Sequence, residues 1–124
     1  MVRLRFAIVV ACVAWAAASA ACRRAANDAP PCSAVGARFT DIAKYDLSQA
    51  RVDDVTARAF TDQVPAMRDA LVQACSDGKW AGAVRTCLVQ AADHGGFETC
   101  EQQLTDEQRR DLDRANRGSS APPR

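Results

Sequence analysis

Residues 75–108 read CSDGKWAGAVRTCLVQAADHGGFETCEQQLTDEQ, and the spacing of apolar residues and breakers in this stretch decides the fold. Asp77-Gly78 brings in a residue that tolerates a left-handed conformation, which ends a helix arriving from the amino-terminal side. Trp80, Val84, Cys87, Leu88 and Ala91 then recur at steps that place side chains on one face of a helix. His94-Gly95-Gly96 stops that helix, and the His94 imidazolium is expected to stabilise its terminal carbonyls. Phe97, Cys100 and Leu104 share the face of a short turn or helix, and Thr105 with Gln108 has the spacing of a capping box opening a last helix that carries Leu112. No segment of useful length alternates with period two, so strands are a poor reading and the fold class is all-α.

Working toward the amino terminus, Val64, Met67, Leu71 and Cys75 form the stripe of a helix from about Asp62 to Ser76, capped by Thr61 or Asp62. Pro65 then falls in its first turn, where amide groups have no helical acceptor. Val52, Val55 and Ala59 share the face of a weaker helix capped by Asp46 or Ser48. Cys32, Val35, Phe39 and Ile42 define another from about Ser33 to Tyr45. The domain is therefore expected to be a small disulfide-stapled bundle of about four to six short helices over residues 32–117, followed by a frayed tail at 118–124.

The remaining amino-terminal residues read as an address. Met1 to Arg5 carries two arginines, Phe6 to Ala18 is an uninterrupted apolar run, and small residues follow, which is the order of a secretory signal peptide over residues 1–21. The run is shorter than the roughly 20 apolar residues a spanning helix needs. Ala18-Ser19-Ala20 satisfies the rule of ordinary signal peptidase, whereas Ser19-Ala20-Ala21-Cys22 resembles a bacterial lipobox with Ser19 where Leu is usual. Cysteine parity favours lipidation of Cys22: Cys12 leaves with the leader, Cys22 is acylated, and Cys32, Cys75, Cys87 and Cys100 remain as an even set. Ordinary cleavage leaves five thiols. Residues 22–31, with no large apolar side chain and ending in Pro30-Pro31, read as a flexible tether that spaces the domain from a membrane.

Composition explains why sulfur matters. The chain has 124 residues, and of the 103 from Cys22 onward only sixteen are Leu, Ile, Val or Phe. That is below the roughly 20% of a well-packed chain, so burial alone leaves a marginal domain and crosslinks are the expected supplement. Each remaining cysteine lies on the apolar stripe of its segment and points inward. Four cysteines allow three connectivities. An antiparallel hairpin of the first and third helices brings Cys32 to Cys75, and a turn at Gly95-Gly96 folds Cys100 back on Cys87, so that pairing is favoured.

Chemistry-bearing constellations are sparse. The formal charge of +1 gives no basic field for nucleic acid. The intervals between the four cysteines contain 42, 11 and 12 residues and His94 is the only histidine, which is a poor ligand set, so no metal or other cofactor is expected. One histidine without a nucleophile motif defines no triad, and no catalytic residue is assigned. Asp53-Asp54 and Asp106, Glu107, Asp111 and Asp113 read as solvated faces and dipole-matching groups. Arg109, Arg110, Arg114 and Arg117 form a strip explained by local ion pairs, and Trp80 lies on the core stripe.

The stretch Met67 to Leu112, with Cys75, Trp80, Cys87, Cys100 and Leu104-Thr105-x-x-Gln108, resembles small alanine-rich bacterial envelope proteins and lipoproteins of four-cysteine helical build that are mostly uncharacterised. That resemblance implies location and fold and carries over no catalytic residue. Leu104-Thr105-Asp106-Glu107-Gln108 is also similar to the LTxxQ signature of periplasmic helical proteins such as Spy and CpxP. The expectation is a non-catalytic structural or interaction protein of the bacterial cell envelope. It would touch a membrane through an N-terminal lipid and act on an envelope protein that the residues do not name, in an oligomeric state they leave open. The alternative is an LTxxQ-like chaperone or metal-stress protein.

Overall fold

The computed structural model describes residues 28–119, which form five helices and no strand. The leader, Cys12, Cys22 and most of the expected tether lie outside the described residues. Pro30 and Pro31 lead into α1, Cys32–Gln49. A short link brings the chain to Asp53, whose carboxylate accepts from the amides of Val55 and Thr56 at 3.0 Å each and caps α2, Asp54–Asp77. After a tight turn come α3, Gly82–Gln90, and α4, His94–Glu101. The last helix, α5, is Asp106–Ser119 and runs two residues into the expected tail.

The two separate helices read from residues 46–76 are one helix, and the reason lies in Pro65. Proline in a helix interior removes one hydrogen bond and crowds the carbonyl four residues back, at a cost of about 3 kcal/mol. Here Val64, Leu71, Ala74 and Cys75 on both sides of that point are buried, the helix packs on both α1 and α5, and tertiary packing carries it through. Ser48 caps nothing at this junction. It lies inside α1, where its hydroxyl donates to the Tyr45 carbonyl at 2.6 Å. Asp53 holds the capping role, and its hydrogen bonds from Thr56 and Val55 lower its pKa. That contribution is whole above the ordinary aspartate range and is lost as pH falls through the lowered folded value, so the first turn of α2 is expected to fray only in strong acid.

The end of α2 also departs from expectation. Gly78 keeps a right-handed φ of −75°, and Lys79 takes the left-handed position at φ 47°. The Trp80 amide donates to the Cys75 carbonyl and the Lys79 amide to the Ser76 carbonyl, which is the Schellman arrangement with lysine where glycine is usual. Gly78 is needed for closeness instead, since a Cβ there would sit 2.8 Å from the Ala74 carbonyl oxygen and 3.0 Å from the Trp80 indole nitrogen. Left-handed backbone at a residue with a side chain costs about 1 kcal/mol. Lys79→Gly is therefore expected to raise the unfolding free energy by up to about 1 kcal/mol in urea titrations, an effect most glycine substitutions would reverse in sign.

α1 and α2 form an antiparallel hairpin, α5 packs on α2, and α3 and α4 pack on each other and on α1. Gly36 lets the hairpin close: a Cβ on it would lie 2.5 Å from Cγ2 of Val72. Disulfides tie Cys32 to Cys75 with Cα atoms 5.8 Å apart and Cys87 to Cys100 at 5.7 Å, the favoured pairing. Both separations are relaxed for a disulfide. The first joins the start of α1 to the end of α2, and the second joins α3 to α4. Leu88, Val35 and Cys75 are the largest fully buried side chains, so one sulfur of the first bridge is itself core.

Polar side chains complete the joints between helices. Arg38 on α1 donates to the carbonyls of Ala91, at 2.7 Å, and Ala92, at 3.2 Å, immediately after α3. It fills the role expected of His94, which instead opens α4 behind the Asp93 cap. The glycines after His94 do not end a helix either; they are its second and third residues. Thr105 and Gln108 form the capping box of α5, and the Gln108 amide also donates to the Gly78 carbonyl at 2.8 Å. Arg85 reaches the Pro30 carbonyl at 2.8 Å, so the end of the expected tether is fastened to α3.

Candidate functional site

α1 carries Phe39, Ile42, Ala43 and Asp46, and α4 carries His94, Phe97, Glu98 and Glu101, each set at steps of three, one and three residues. That spacing places each set on one face of its helix, Phe39, Ile42 and Ala43 ahead of Asp46 on α1 and Phe97 between His94 and the two glutamates on α4. The two faces meet where Phe39 and Phe97 lie with ring centroids 6.2 Å apart and planes tilted by 55°. Phe60 and Met67 of α2 and Asn116 of α5 close the other sides. The resulting cleft has a volume of about 390 Å³. It lies within the usual range of binding pockets, about 300–1,000 Å³.

Its carboxylates outnumber its one basic group. Asp46, Glu98 and Glu101 line it with His94, and no lysine or arginine does. Nε2 of His94 lies 3.2 Å from a Glu98 carboxylate oxygen. Neither Asp46 nor Glu101 enters a salt bridge among the described residues. Burial raises the Glu101 pKa, Glu98 and Asp113 raise it further, and His94 opposes them. A carboxyl group with a raised folded pKa is destabilising once ionised, and the loss grows as pH rises through the folded value. Glu101→Gln is therefore expected to give a small gain in melting temperature at neutral pH, and the difference from the parent should vanish in acid.

A second groove, of about 230 Å³, runs between α1 and α2 past Lys44, Leu47, Pro65 and Arg68, and Phe60 and Ala43 line both grooves. Pro65 lacks the amide that would have closed on the Thr61 carbonyl, and both residues line this groove. Among the described residues the large hydrophobic side chains that remain exposed are Tyr45, Val52, Val55 and Phe60, all within sixteen residues around the hairpin link. Val55 is 78% exposed. Val52 lies in the link before α2 and not on the helix face expected for it with Val55 and Ala59, and all three side chains are exposed.

The four cysteines assigned to bridges are all in disulfides, which places the domain in an oxidising compartment, whereas Cys22 lies outside the described residues. Trp80 is core, at 3% exposure, with its indole nitrogen buried and unpartnered. Arg109 pairs with Asp106 and Arg114 with Asp111, local ion pairs of the kind expected for that strip. Among the described residues no group of three or more His, Cys, Asp or Glu side chains is placed to hold a metal ion, and no helix is long and apolar enough to cross a membrane. Comparison of the chain with protein-family models, with curated proteins and with solved structures gives no match.

The cleft was not assigned from the sequence. Its α4 half was hidden because His94-Gly95-Gly96 looks like a terminator, and only the Asp93 cap reveals those residues as a first turn. Asp93 followed by a backbone able to approach its carboxylate was the available signal.

Proposed function

We propose that this protein is an exported, non-catalytic interaction protein of the bacterial cell envelope, attached through a lipid on Cys22. Its working surface is the linked end of the α1–α2 hairpin. The observation that carries the reading is the segregation of exposed apolar side chains: Tyr45, Val52, Val55 and Phe60 gather at one end of a domain whose other large apolar residues, among those described, are buried or half-buried. An apolar cluster at that end is the pattern of a surface that meets a partner. The leader, Cys22 and the cysteine parity support the location and the anchor.

Two measurements test this. Intact mass of the protein from its host should give a chain beginning at an acylated Cys22, with four alkylatable thiols appearing only after reduction. A chain beginning at Ala21 without lipid rejects the anchor. A photo-crosslinking residue at position 55 should yield a discrete envelope adduct that the same residue at position 90, on α3, does not. Absence of an adduct at position 55 rejects the interaction role. The chaperone alternative gains nothing from its motif here, because Thr105 and Gln108 serve in capping and Leu104 is core.

A further inference from the structure

We propose that the cleft between α1 and α4 receives a basic amphipathic segment of a partner polypeptide, its apolar side chains on Phe39 and Phe60 and its lysines or arginines on Asp46, Glu98 and Glu101. This rests on the interaction role above and names the chemistry of the partner. Charge complementarity selects the occupant. Aromatic rings and carboxylates from two different helices line the cleft, and no lysine or arginine does. An acidic segment would meet like charge on desolvated ground, and a purely apolar one would leave Asp46 and Glu101 covered without a counter-charge.

Shape selects a polypeptide over a compact ligand. Phe60, 36% exposed, lines both the cleft and the neighbouring groove, and the exposed Tyr45, Val52 and Val55 follow at the same end. An elongated strip of this kind suits a helix that anchors side chains at steps of three and four residues, its lysines on the cleft side only, because Lys44 and Arg68 line the neighbouring groove. The bridge between Cys87 and Cys100 fixes the far end of α4 to α3, so the acidic wall is held in place before anything binds.

The test uses the protein purified from its host with both disulfides formed, and a synthetic amphipathic peptide of leucine and lysine about 15 residues long, the shortest length at which a helix is readily held. Calorimetric titration should show binding that weakens with added salt. A peptide in which glutamate replaces every lysine should not bind. Glu98→Gln with Glu101→Gln should weaken the lysine peptide by about fivefold, the sum expected of two partly exposed ion pairs, without loss of thermal stability. Phe60→Ser should weaken it as well, by removing the ring shared by both grooves.

Equal binding of the two peptides, or unchanged affinity in the double Gln variant, overturns the proposal. Binding seen only after deletion of residues 120–124 also overturns it, since the cleft would then belong to the chain's own end. Absence of peptide binding together with an adduct from position 55 would remove this ligand class and leave the interaction role standing.

Discussion

Leu88→Ala is expected to lower the unfolding free energy by about 3 kcal/mol, within the range for deleting a large buried aliphatic side chain. Leu88 is completely buried in α3, the helix that packs on both α1 and α4, so the cavity it leaves lies where those elements meet. Small domains have a total margin of only about 5–15 kcal/mol, and a domain this poor in aliphatic residues belongs at the low end. Urea titrations with both disulfides intact should show a lower midpoint at unchanged slope. A loss under about 1 kcal/mol would mean that the helices close over the gap and that the core is loosely packed.

Replacing both Cys32 and Cys75 with alanine has the other large expected effect, about 4 kcal/mol, against about 3 kcal/mol for the Cys87 and Cys100 pair. The difference follows from loop closure, because the first bridge spans 43 residues and the second 13. Packing adds to it: Cys75 is fully buried, and truncation at that point loosens the hairpin beside the close approach of Gly36 to Val72. The variant lacking the first bridge should melt broadly or be unfolded at 37 °C, whereas the variant lacking the second should still melt cooperatively. An equal, small loss from both would contradict the loop argument.

Helical class and the place of each cysteine on an apolar stripe were legible in the sequence because each rests on a signal within one helix, and the pairing followed from the order of the helices; Cys75 and Cys100 are buried and Cys32 and Cys87 half-buried. The stripe Trp80, Val84, Leu88 and Ala91 is buried as its spacing requires, and Thr105 and Gln108 cap as their types and separation require. At Pro65 and Gly78 a packing contact overrides a local preference. Pro65 reads as a boundary, yet the burial of Val64 and Leu71 continues α2 through it. Gly78 reads as the left-handed residue, yet contact with Trp80 needs its missing side chain and Lys79 takes the strain. The cleft was illegible for another reason. Phe39 and Phe97 are 58 positions apart in the sequence, and nothing in either segment alone announces that their faces meet.

Two bridges and a thin apolar interior make a specific division of labour, with burial setting which faces meet and sulfur keeping them together. The most direct test follows the far-ultraviolet helical signal through urea for the unaltered protein, once with both disulfides intact and once with all four thiols reduced and held reduced. The oxidised form should unfold in a single cooperative transition, and the reduced form should have lost most of its helical signal before urea is added or unfold without a sharp midpoint. A reduced protein that keeps the same midpoint and slope as the oxidised one would contradict the account.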